Sequence, residues 1–122
     1  MVLVDTSVWV SHLRQTHTGL VNLLNDGKVA CHPFVIGELA CGNLRNRSVL
    51  LSLLEALPSA EEVQHKEALA FIENHNLMGA GLGYIDVHLL ASAILTGCPL
   101  WTLDNKLDKV AAVLNCRYDF RR

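Results

Sequence analysis

Two short apolar runs in this chain each stop at an aspartate: VLVD at positions 2–5 and PLWTLD at 99–104. Both are too short for a helix and rich in branched or aromatic residues, so both read as buried strands. KVACHP at 28–33 is a third, closed by Pro33, whose missing N–H suits the first turn of a following helix. Between these runs lie helix-length stretches. One starts at Ser7, and others cover 19–25, 33–43, 46–58, 61–76, 84–97 and 105–115. CRYDF at 116–120 reads as a last edge strand. Strands alternating with helices predict an α/β domain, a small and mostly parallel sheet flanked by helices. The 122 residues fit one domain over 1–122, and half of them are apolar, enough for a core without staples.

In open parallel sheets, ligands bind beyond the carboxyl ends of the strands. Asp5 and Asp104 stand at two such ends. Each also has a plain reading as a helix N-cap. Two further acids lie in apolar surroundings, Glu38 in FVIGELAC and Asp86 in LGYIDVHLLASA. At helical spacing Asp86 shares a face with Leu89, Leu90 and Ala93, and Glu38 shares one with Phe34, Cys41 and Leu44 or Arg45. Both acids are therefore expected to be partly buried. No Lys or Arg lies within a helical turn of Asp5 or Asp86, so a divalent metal is the economical counter-charge. Oxygen ligands of this kind suit magnesium or manganese.

The formal charge of −2 gives no sign of a polyanion partner by itself. With four acids committed to metal, ten basic residues face eight acidic ones, and the remaining surface becomes mildly basic. Cys31, Cys41, Cys98 and Cys116 lack zinc-site spacing, and buried free thiols in a reducing, cytoplasmic setting are expected. The histidines form no i, i+4 pair, and His88 lies off the Asp86 face, which points to a structural role. LMGAGLG at 77–83 lacks the Lys-Ser or Lys-Thr of a phosphate loop and reads as a tight turn before the Asp86 helix. Trp9 and Trp101 read as core. SVLLSLLEAL at 48–57 has more apolar positions than a one-sided helix needs. It is expected either to pack inside a helical layer or to bury a face against a partner. No apolar stretch is long enough to cross a membrane.

Taken in order, VDTSVWV, VIGELACG, GYIDVHLLASAIL and LWTLDNKL resemble the PIN-domain nucleases, and among them the VapC-type toxins of bacterial toxin–antitoxin pairs. The resemblance runs from Leu3 to about Leu114. It implies a three-layer PIN-like fold and a magnesium- or manganese-dependent endoribonuclease, with Asp5, Glu38, Asp86 and Asp104 as the catalytic, metal-binding acids. Ser7 resembles a small polar residue that orients Asp5 or a metal-bound water, Thr102 resembles a threonine that supports Asp104, and Thr6 takes a supporting place. Hydrolysis by metal-activated water would leave 5′-phosphate and 3′-hydroxyl ends. A homodimer and an inhibitory antitoxin are the partners implied. Arg14, Arg45, Arg47 and Lys106 are the basic residues nearest the motifs and candidates for RNA phosphate contacts. Related chains commonly carry a further acid near the last strand. Here position 105 is Asn and the next acid is Asp108, read as part of a solvated face. Two rival readings are a phosphohydrolase with Asp5 as nucleophile, and a catalytically inactive RNA- or protein-binding module. The first wants an acid where Ser7 stands, and the second has no use for four converging acids.

Overall fold

A computed structural model of the chain describes residues 1–119. Strand β1 (Val2–Val4) is followed by helices α1 (Thr6–Arg14) and α2 (Thr18–Asn25), then β2 (Val29–Ala30). Helices α3 (Pro33–Ala40), α4 (Arg47–Ala56), α5 (His65–Asn74) and α6 (Tyr84–Thr96) precede β3 (Leu100–Trp101) and α7 (Asn105–Val113). The sheet order is β2-β1-β3 and both pairings are parallel, as the alternation predicts. All three residues of β1 are buried. That is the pattern of a central parallel strand covered on both faces.

The register fixes the site. Leu3 pairs with Leu100 and Val4 with Trp101. One residue further on, the Asp5 N–H donates to the Trp101 carbonyl at 2.9 Å. The two strands that run into aspartates are therefore neighbours, and their carboxyl ends open on one side.

The core gathers Leu3, Val4, Val8, Leu20, Leu89, Leu90, Leu100, Trp101 and Leu107, all nearly inaccessible to solvent. Helix α6 is buried continuously from Val87 to Ala93, as a helix apolar all round must be. It ends at Gly97, whose φ of 76° is left-handed, and the Cys98 N–H returns to the Ala93 carbonyl at 3.0 Å. A side chain at Gly97 would oppose that turn. Pro33 opens α3 as expected, and the His32 Nδ1 accepts the Phe34 N–H at 3.0 Å.

Two expectations change, and of the two alternatives for 48–57 one is excluded. Helix α5 starts at His65 rather than near 61, because Glu67 accepts the Gln64 N–H at 2.9 Å and caps the helix there. The 116–120 stretch forms a single parallel bridge, Leu100 to Arg117, rather than a strand, and Phe120 lies outside the described residues. Helix α4 does not pack inside a layer. Leu54 is its buried residue, while Val49 and Leu53 are 59% and 62% exposed.

Candidate active site

Asp5 holds the N-cap position of α1, yet its side chain makes no capping bond. The helix is started instead by the Asp5 backbone carbonyl, which accepts from Val8 and Trp9 N–H. The carboxylate is 7% exposed and turned toward β3. Its Oδ2 accepts from Thr102 Oγ1 at 2.7 Å and from Ser7 Oγ at 2.8 Å. Ser7 Oγ also accepts the Leu103 N–H at 3.0 Å, and Thr102 Oγ1 accepts the Asp104 N–H at 3.0 Å. Two hydroxyls thus tie the end of β1 to the segment after β3. Bonds to an ionised acceptor are the stronger kind, so this knot fixes the direction of Asp5.

Asp104 has both of its expected roles available. Its Oδ1 caps α7 by accepting the Leu107 N–H at 3.0 Å, which leaves Oδ2 without a described partner. Asp86 sits in the first turn of α6, half-buried, and its Oδ2 accepts the Gly83 N–H at 2.9 Å. Burial pushes the Asp86 carboxyl above its ordinary value, with the Gly83 N–H opposing. The negative charges of Asp5, Asp104 and Glu38 push it further up. The four acids therefore share one electrostatic field.

Glu38 departs from expectation. It is exposed, because the buried stripe of α3 is Val35 and Leu39, which leaves Glu38 on the rim. Its direction is set by Thr6, whose Oγ1 donates to Glu38 Oε1 at 2.7 Å.

None of the four carboxylates forms an ion pair among the described residues. No three His, Cys, Asp or Glu side chains among those residues are drawn together closely enough to cage an ion as they stand. Magnesium keeps several waters and uses one or two carboxylates, so an open set of this kind matches its coordination better than a closed cage would. The chemistry of the donors fits: hard oxygens, one of them raised in pKa by burial and by its acidic neighbours, and no ion pair to neutralise them among the described residues.

The basic candidates separate. Arg14 and Arg45 line a cleft of about 430 Å³ beside Glu38, with Val10, Leu13 and Leu50. Arg47 is engaged elsewhere. Its guanidinium donates to the Gly42 carbonyl at 3.0 Å and to the Ala40 carbonyl, which caps the end of α3. Lys106 lies against the turn at Gly81. Asp108 pairs with Arg117 at 3.0 Å on the partly exposed face of α7. His88 is buried with its ring edge-on to Phe34 and Tyr84, and Trp9 and Trp101 are core. Three thiols are buried as expected, but Cys41 is exposed just past α3. Lys109 escaped the sequence reading. The signal for it is its i, i+3 spacing from Lys106, which puts both ammonium groups on one side of α7.

The PIN domain family model matches residues 2–113. The chain is 46% identical over 113 residues to Ribonuclease VapC32 of Mycobacterium tuberculosis, in strains CDC 1551 / Oshkosh and ATCC 25618 / H37Rv. That match covers 92% of this chain and 91% of the relative. With the match spanning the sheet, the hydroxyl knot and all four acids, the chain belongs to the PIN domain family as a VapC-type member.

Proposed function

We propose that this protein is a magnesium- or manganese-dependent endoribonuclease toxin that leaves 5′-phosphate and 3′-hydroxyl ends and is restrained by a cognate antitoxin. The observation that carries the reading is that Asp5, Glu38, Asp86 and Asp104 are each held by a neighbouring hydroxyl or N–H while none of them forms an ion pair among the described residues. The relative's description as a ribonuclease supports the same reading.

Asp5, Glu38, Asp86 and Asp104 would hold the ion. When bound, it supplies charge neutralisation at the phosphate and a water acidic enough to ionise near neutral pH. The chain's own part is orientation. Thr102 and Ser7 hold Asp5, the Gly83 N–H holds Asp86, the Leu107 N–H holds Asp104, and Thr6 holds Glu38. Asp5 has one oxygen taken by two hydroxyls and is almost fully buried, which suits an anchored ligand better than a nucleophile awaiting substrate. Arg14, Arg45 and Lys106 are the cations proposed to meet RNA phosphates.

The exposed Val49 and Leu53 of α4, with Val10 and Leu13 of α1, offer apolar surface for protein partners, an antitoxin and a second copy of the chain. No helix among the described residues is long and apolar enough to cross a membrane, and a cytoplasmic site of action goes with the RNA substrate.

The test is cleavage of total cellular RNA by the purified protein, with and without manganese, followed by mapping of the ends. Metal-dependent cuts with 5′-phosphates that vanish in Asp86→Asn are expected. RNA left intact by the parent in manganese, or equal cutting by parent and variant, rejects the proposal.

A further inference from the structure

The turn before α6 and the start of α7 form a second feature beside the acids. Gly81 has a φ of +81°, and a Cβ built on it would lie 2.7 Å from Lys106 Cδ, 3.3 Å from Cε and 3.2 Å from Nζ. The Lys106 side chain therefore lies across the turn in space that exists because residue 81 is glycine. Lys106, Lys109, Asn105 and Ala80 line one cleft of about 360 Å³. Neither ammonium group is in an ion pair among the described residues. The acid between them in sequence, Asp108, is held by Arg117. Asn105 and Lys106 follow Asp104 directly in the first turn of α7, and Lys109 lies about one turn further along the helix. It also lies at the N-terminal end of α7, where the helix dipole adds positive potential.

We propose that this cleft is a phosphate subsite, in which Lys106 and Lys109 grip a backbone phosphate of the nucleotide next to the scissile linkage, with Gly81 setting the course of Lys106. The inference rests on the ribonuclease reading and adds to it the path of the strand, from the acids across the turn at Ala80 and Gly81 onto α7. Two cations that form no ion pair among the described residues, near the acidic site, solve a definite problem. The acids repel the RNA backbone, and a local positive site one phosphate away offsets that repulsion. The neutral amide of Asn105 leaves the cleft free of a competing charge. Contacts of this kind position a strand without reading its bases.

The experiment measures binding of a fluorescein-labelled single-stranded RNA, carrying a mapped cleavage sequence, to the non-cleaving Asp86→Asn protein over a range of salt. Adding Lys106→Ala and Lys109→Ala is expected to weaken binding about tenfold at low salt and to flatten the slope of log K against log salt by about 0.7, the loss of one phosphate contact. Gly81→Ala, which displaces Lys106, should reproduce part of the loss, and Lys66→Ala on α5 should change nothing. A neutral methylphosphonate at one of the two linkages flanking the scissile one should weaken binding to the Asp86→Asn protein but not to the version that also lacks both lysines. A merely structural role for the lysines would not remove that dependence. Unchanged affinity and salt slope in the lysine variant, or an equal methylphosphonate cost in both proteins, overturns the subsite while leaving the ribonuclease reading intact. A parent that cleaves no RNA in manganese overturns both.

Discussion

Replacing Thr102 by valine tests whether the hydroxyl knot holds the site together. Valine keeps the shape of threonine and removes only the Oγ1. Lost with it are the bond to Asp5 Oδ2 at 2.7 Å and the acceptor for the Asp104 N–H at 3.0 Å. The first bond is out of water, since Thr102 is 4% exposed and Asp5 7%. A hydrogen bond to a charged group is worth about 1.5–3 kcal/mol and an ordinary one about 0.5–1.5. Burial of the extra methyl returns about 0.8 kcal/mol. The net is a loss of roughly 1–4 kcal/mol, which for a domain of this size lowers Tm by about 10 °C at the middle of that range. Thr102→Ser keeps both bonds and gives up a buried methyl, at a cost of about 1 kcal/mol. The order of stability in urea unfolding is therefore parent, Thr102→Ser, Thr102→Val. RNA cleavage should follow the same order, because Asp5 and Asp104 lose a shared anchor. In a double-mutant cycle Ser7→Ala should couple to Thr102→Val, since both hydroxyls end on the same oxygen. A valine variant within about 0.5 kcal/mol of the parent, the ordinary range for an unimportant site, would refute the reasoning, as would a serine variant weaker than the valine one.

Asp86→Asn should stabilise the metal-free protein at neutral pH while reducing cleavage at least about a hundredfold. The sign follows from its raised pKa. The fold favours protonated Asp86, so that contribution to stability is present below the ordinary carboxylate range and is lost as pH rises through the raised value. Thermal unfolding from acidic to neutral buffer should show the advantage of the variant growing with pH, and magnesium should raise the Tm of the parent more than that of the variant. Among the cysteines, Cys41 is the one expected to react with iodoacetamide in the folded protein. Cys31, Cys98 and Cys116 are buried, and burial pushes each of those thiols up. Mass spectrometry of the native protein should find a single rapid adduct, and a second adduct on the same timescale would contradict the packing of the core.

Sequence and structure divided the work along a physical line. Local patterns carried the elements. Short branched runs marked β1 and β3, Pro33 and Gly97 marked helix ends, and the acids of the site stood out because each interrupts an apolar context. Such signals survive in one dimension because strand and helix periodicity are properties of neighbouring residues. Relations between distant segments were not legible. Thr102 and Asp5 are 97 positions apart, and it is the parallel register of β1 with β3 that lays a hydroxyl on that carboxylate. The exposure of Glu38 depends on which stripe of α3 meets the core: helical spacing placed it with Phe34 and Cys41 on an inward face, whereas Val35 and Leu39 are the residues that are buried. The bare outer face of α4, the ion pair of Asp108 with Arg117, and the seat of Lys106 on Gly81 likewise depend on what packs nearby. The sequence alone determined which groups are able to act, because chemistry belongs to the side chain. Tertiary structure decided which of them meet, because meeting requires the closure of long loops that no local pattern encodes.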